Sequence, residues 1–252
     1  MTRERTLYLD LLSKILVNSI YRDGSIHPDN NGAYDPERRG VGADWPALAH
    51  TMVGEKRLAN LRSLVERALN DGIAGDFIET GVWRGGCCIL MRGILEAYGI
   101  ADRKVWVCDS FEGLPDPNPR DFPADDGLFL SQFKELAISL EQVQENFRRY
   151  GLLDGQVEFV KGWFSDTLPG LEAGPFAVLR LDGDLYESTI VALESLYPRL
   201  SVGGYVIIDD YHVIPQCRDA VTHYRDRHGI TDPIHDVDWA GTWWQKTSAL
   251  PA

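Results

Sequence analysis

From residue 76 onward, short apolar runs alternate with segments of helical period. DFIET (76–80), KVWVC (104–108), VEFVK (157–161), AVLRL (177–181) and YVII (205–208) read as strands. Gly86–Tyr98, Leu140–Tyr150, Tyr186–Leu200 and Pro215–His228 read as helices. Ser139 with Gln142 forms a capping-box pattern, and Gly151 marks that helix's end. Strands this short and apolar, alternating with helices, predict an α/β fold whose parallel sheet is covered on both faces. Ile234–Val237 and Thr242–Lys246 have no helix between them and predict an antiparallel pair at one sheet edge, seven strands in all.

The first 70 residues follow another pattern. Leu7–Tyr21 and Glu55–Leu69 carry leucine and isoleucine at helical spacing, with Gly72 as a stop after the second. Between them Arg22–Pro46 is polar, has three prolines and shows no period. A loop of that length in a compact domain is functional or disordered. The pattern predicts a helical cap with a mobile lid over 1–70 and one compact α/β unit over 71–252.

Composition narrows the class. The chain has 252 residues, 44 % apolar and 25 % charged, which excludes a disordered chain, a coiled coil and a collagen-like repeat. No 18-residue apolar run predicts a membrane span, and MTRERTLYLDLL lacks a signal-peptide pattern, so a cytoplasmic address is expected. A net charge of −13 repels phosphate backbones and argues against nucleic acid, in favour of a small molecule or a metal ion. Cys87, Cys88, Cys108 and Cys217 form no CxxC pair and read as small core residues.

The positions of the acids are the most informative feature. Glu79 lies near the end of the first strand, Asp109 just past the second, Asp182 after the fourth, and Asp209–Asp210 after the fifth. Ligands of open α/β sheets bind beyond the carboxyl ends of the strands, so these acids converge on one rim. Glu79-Thr-Gly-Val-Trp-Arg-Gly-Gly86 joins strand to helix and places Gly81 for close ligand approach. Trp83 stands where a dinucleotide fingerprint has its second glycine, which argues against a pyrophosphate and a nicotinamide oxidoreductase. With Asp109 placed to accept ribose hydroxyls, the turn suits a nucleoside cofactor without phosphates, and S-adenosylmethionine fits. Asp182 and Asp184, two apart, point to one side if extended, and would meet Asp209–Asp210 if their strands are neighbours. Such carboxylates repel one another unless a hard cation lies between them, and oxygen-only ligands suit Mg²⁺.

The strings ETGVWRGG (79–86), DSFEGLP (109–115), GWFSDTLP (162–169), LRLDGDLYES (179–188) and IIDDY (207–211) closely resemble the macrocin O-methyltransferase family, which methylates deoxysugar hydroxyls on antibiotics. AHTMVGEKRLANL (49–61) resembles its N-terminal segment. The resemblance implies a Rossmann-like class I methyltransferase fold, S-adenosylmethionine, Mg²⁺, a glycoside acceptor and a homodimer or higher homo-oligomer. It implies Asp182, Asp209 and Asp210 as metal ligands and Asp184 as general base. Glu79, Gly81, Asp109, Ser110 and Asp182 would hold the cofactor, with Trp163 and Phe164 near its adenine. Thr51 would lie close to the cofactor and Met52 close to the acceptor. Trp45, in the lid, is the tryptophan expected at the acceptor; Trp239, Trp243 and Trp244 read as core. His212 is the rival base. A catechol-type phenol acceptor, or a binding protein without turnover, would share the same acids.

Overall fold

Three helices precede the first strand: α1 (Arg3–Leu16), α2 (Pro36–Gly40) and α3 (Gly54–Asn70). Then follow β1 (Asp76–Thr80), α4 (Gly86–Tyr98), β2 (Val105–Asp109), α5 (Leu140–Arg149), β3 (Val157–Lys161), α6 (Phe164–Thr167) and β4 (Phe176–Leu181). The chain continues through α7 (Tyr186–Leu196), β5 (Leu200–Ile208), α8 (Pro215–Arg227), β6 (His235–Asp236) and β7 (Thr242–Gln245). The structure is a computed structural model and describes residues 2–28 and 30–250.

The seven strands form one sheet in the order β3-β2-β1-β4-β5-β7-β6. β1 to β5 run parallel; β7 is antiparallel to β5, and β6 to β7, as the terminal pattern predicts. The apolar runs are continuous because both faces are covered. Phe77, Val178 and Ile207 pack in one core with residues of α1, α3 and α4, whereas their neighbours Ile78, Leu179 and Ile208 pack in a second core with α7 and α8. The cap therefore shares a core with the sheet: Leu9, Leu12, Leu58 and Leu61 pack in the same cluster as Ile89 and Leu90 of α4.

Boundaries differ from the sequence reading where local backbone decides. α1 stops at Leu16 rather than Tyr21, because Asn18 and Arg22 turn left-handed, φ 53° and 59°. α7 gives way at Tyr197–Arg199 to a tighter turn containing Pro198. β5 starts at Leu200, before the two glycines, since Leu200 already pairs with Phe176. The aperiodic stretch 22–46 holds α2, capped by the Asp35 carboxylate with Pro36 in its first turn. Buried Arg39 ties that stretch together: it pairs with Asp23 and Asp44, each at 2.8 Å, and donates to the carbonyl of Val17. The strand order reverses between β1 and β4, which opens the crevice at their carboxyl ends.

Candidate active site

A cavity of about 440 Å³ occupies that crevice. Trp45, Thr51, Met52, Glu79, Gly81, Asp109, Ser110, Trp163, Phe164, Asp182, Asp184, Asp209 and Asp210 all line it. The convergence follows from the register: Leu181 pairs with Ile208, so the residues after these two strands are neighbours, and the Asp209 N–H donates to the Leu181 carbonyl at 3.0 Å.

The acidic rim is more ordered than strand ends alone would make it. One carboxylate oxygen from each of Asp182, Asp184 and Asp210 lies within 4.8 Å of the others. Asp209, expected as a metal ligand, is outside that group: Arg57 takes one of its oxygens and Arg180 the other. The expectation of acids lacking compensating bases is thus corrected: two buried arginines neutralise the inner side of the rim, and Arg180 also pairs with Glu79 and Asp182. The reason Asp182 and Asp184 meet is also different. Asp184 is in a left-handed turn, φ 58°, not in extended backbone. A non-glycine residue held there is strained, and such strain collects where a side chain must be aimed.

The three grouped carboxyls titrate abnormally. Burial, then repulsion from Asp182 and Asp209, lifts Asp184 from 3.8 to about 8. Burial and Asp209 lift Asp182 to about 6, against the pull of Arg180. Asp210 is raised as well, by burial and then by Asp184. Its Oδ2 is buried without a hydrogen-bond partner. An all-oxygen group with an unpartnered acceptor matches what a hard divalent cation requires.

The cofactor turn is built by close packing. Gly81 has φ 82°, and a Cβ there would stand 1.7 Å from the Asp182 carbonyl oxygen. Its glycine is therefore demanded by β4's continuation as well as by ligand access. Both Glu79 oxygens are engaged, one by Arg180 and the other by the Cys88 thiol at 2.7 Å, and burial lifts its carboxyl to about 7. Asp109 accepts N–H bonds from Val82 at 2.8 Å and Phe111 at 2.7 Å, which shape the turn beside the cavity. Trp163 and Phe164 start α6 at the same mouth. All four cysteines are free and buried, as expected.

On the acceptor side, Trp45 stacks edge-on against His27 of the lid and Phe133 of the 116–135 loop. Trp239, expected in the core, is instead 49 % exposed and lines the cavity, with its indole N–H on the Val41 carbonyl at 2.7 Å. Trp244 is fully buried, as expected. His212 does not reach the rim: it is outside the cavity lining, and its Nε2 is 2.8 Å from Asp236.

The sequence model of macrocin-O-methyltransferase (TylF) matches residues 5–246. The chain belongs to the macrocin O-methyltransferase family. It is 56 % identical over 247 residues to the 8-demethyl-8-(2,3-dimethoxy-alpha-L-rhamnosyl)-tetracenomycin-C 4'-O-methyltransferase of Streptomyces olivaceus, covering 97 % of this chain and 94 % of that one. It is 52 % identical to the mycinamicin III 3''-O-methyltransferase of Micromonospora griseorubida, covering 96 % and 97 %. The solved structure of the O-methyltransferase NovP superposes with a TM-score of 0.92 at 51 % identity, covering 97 % of this chain and all of that one. As a member of the macrocin O-methyltransferase family the chain is an O-methyltransferase with the class I, Rossmann-like fold. No helix among the described residues is long and apolar enough to cross a membrane.

Sequence reasoning missed the two arginines of this family site, though signals existed. Arg180 is a lone charge inside an apolar parallel strand, a position that is buried on both faces and therefore needs buried acids. Arg57 lies on the apolar stripe of α3 with Leu58, Leu61, Leu64 and Val65. Asp125 was also missed. It is fully buried, and its carboxylate accepts from the N–H groups of Tyr186 at 2.7 Å and Glu187 at 2.9 Å, capping α7 from a distant loop.

Proposed function

We propose that the protein transfers a methyl group from S-adenosylmethionine to a deoxysugar hydroxyl of a glycosylated natural product, with Mg²⁺ at the acidic rim. The observation that carries this reading is the Asp182–Asp184–Asp210 group beside the cofactor turn, with the Asp210 Oδ2 unpartnered. Relatives named for methylating rhamnosyl-tetracenomycin, mycinamicin III and demethyldecarbamoylnovobiocin support a glycoside acceptor.

Asp182 and Asp210 would hold the ion. When bound it supplies Lewis-acid polarisation of the acceptor hydroxyl. Asp184 would take the proton from the acceptor hydroxyl. Such proton transfer to a positioned carboxylate is worth ~10²–10⁴-fold. Glu79 is fixed by Arg180 and Cys88, and Asp109 by the turn N–H groups, so the cofactor side is shaped before ligand arrives. Met52, Trp45 and Trp239 supply the apolar wall facing the acceptor. The reading includes a homodimer or higher homo-oligomer, supported by the exposed apolar residues Leu7, Leu11 and Tyr21 on and just after α1.

The test is Asp184→Asn, assayed on a panel of glycosides and catechols with and without EDTA. Cofactor-product affinity stays unchanged by calorimetry, while turnover on a glycoside falls ~10²–10⁴-fold. Turnover equal to wild type removes Asp184 as base. Full wild-type activity in EDTA removes the metal, and preference for catechols removes the sugar.

A further inference from the structure

Arg57 joins three segments that are far apart in sequence. From α3, its Nη1 donates to Asp209 and its Nη2 to the Gly42 carbonyl of the lid at 3.1 Å. Its Nε stands 3.3 Å from the Asp238 carboxylate, in the loop between β6 and β7. That last contact is an ion pair out of line for a hydrogen bond, and both Nε and the Asp238 Oδ2 are otherwise without a partner. The side chain is 8 % exposed.

The backbone around Arg57 is pared to glycine. A Cβ on Gly42 would lie 2.3 Å from its Nη2, and one on Gly241 would lie 3.0 Å from its Cδ. Gly54 interlocks with the lid, since a Cβ there would lie 2.3 Å from the Gly42 nitrogen. The loop side is fixed independently: Asp238 accepts from the N–H groups of Ala240 and Gly241, and the Trp239 indole reaches the lid carbonyl next to Gly42. Asp209 has no oxygen left over, because Arg180 holds the other one from below.

We infer that Arg57 is a positioning residue for methyl transfer: it sets Asp209, and through the adjacent Asp210 the acidic rim, in the same contact that seats the lid and the 238–241 loop. This rests on the reading of the rim given above. The guanidinium fork is what permits it. Two hydrogen-bond acceptors and an ion-paired carboxylate in three directions need a planar charged fork, which a lysine ammonium at the end of a flexible stem does not supply. Among the described residues no hydrogen bond or ion pair joins Arg57 to Asp182 or Asp184. Its direct partners lie on the side of the rim carrying Asp209 and Asp210 rather than at the cofactor turn.

The test is Arg57→Lys, which keeps the charge and loses the fork. Four quantities are read: turnover, cofactor-product affinity by calorimetry, Mg²⁺ affinity by calorimetry, and the rate of tryptic cleavage at exposed Arg38 in the lid. Turnover and Mg²⁺ affinity are expected to fall ~10–100-fold, as for partners that orient metal ligands, with cofactor affinity unchanged and cleavage at Arg38 faster. A variant that melts lower but keeps wild-type turnover and Arg38 cleavage has lost only packing, and the inference is overturned. If Arg57→Lys does not fold, Asp238→Asn removes one partner at constant volume. A smaller loss of turnover with faster lid cleavage then supports the inference, and wild-type values overturn it. If the wild-type protein itself takes up no Mg²⁺, the metal reading fails separately, and Arg57 is judged on turnover and lid cleavage.

Discussion

Arg180→Met tests whether the buried arginine is the electrostatic foundation of the site. Arg180 is 2 % exposed and contacts Glu79, Asp182 and Asp209. Methionine fills most of the volume and removes the charge, so Glu79, itself 1 % exposed, and Asp209 lose their shared cation. Removing one partner of a buried pair costs ~3–5 kcal/mol, a large share of the ~5–15 kcal/mol that stabilises a folded protein. For a chain of this size the melting temperature should drop by ~6–20 °C. The pH dependence has a definite sign. Glu79 already has its carboxyl raised to about 7, above its ordinary 4.5, so the fold carries no penalty from it below pH 4.5 and a growing one as pH rises toward 7. Without Arg180 that carboxyl rises further, and the variant's deficit should be larger at pH 8 than at pH 5. Urea unfolding followed by circular dichroism at both values measures it. A deficit below ~1 kcal/mol at pH 8, or one equal at the two values, would refute the electrostatic role.

Three other outcomes are expected. Gly81→Ala forces a Cβ into the Asp182 carbonyl at positive φ and should abolish cofactor-product binding; a variant that binds normally in calorimetry shows the turn can relax. His50 is held neutral, its value lowered to about 4 by burial and then by Arg84, with its Nδ1 2.7 Å from the Tyr150 hydroxyl. It stabilises the fold fully above pH 6.5 and loses up to ~3 kcal/mol as pH falls toward 4, so His50→Gln should flatten the melting curve against pH in that window. Asp125→Ala removes the cap of α7 at a cost of ~0.5–2 kcal/mol and frees the 116–135 loop, raising KM for the acceptor while cofactor affinity stays unchanged; Asp125→Asn, which keeps an accepting oxygen, should fall between.

Periodicity and spacing were enough for the alternation of strands and helices, the antiparallel terminal pair and the gathering of acids at strand ends. Those features depend on local pattern and on a rule of α/β topology that applies to any such sheet. Glu79, Gly81, Asp109 and the aspartates around the cavity were legible too, because the glycine turn and the DGD and DD motifs lie where that topology puts a ligand; Thr51, Met52, Trp163 and Phe164 were legible only through the family resemblance. Tertiary structure alone decided how the acids are shared. Glu79 and Asp209 are claimed by Arg180 and Arg57, residues 101 and 152 positions away, while Asp182, Asp184 and Asp210 are left facing one point. It also decided that Trp239 faces the cavity, that Asp125 caps a helix 61 residues on, and that Arg39 and Arg57 hold the 22–46 segment in place. Each of these is a contact between segments distant in sequence, governed by where a buried charge or donor finds its partner, and no local pattern encodes that distance.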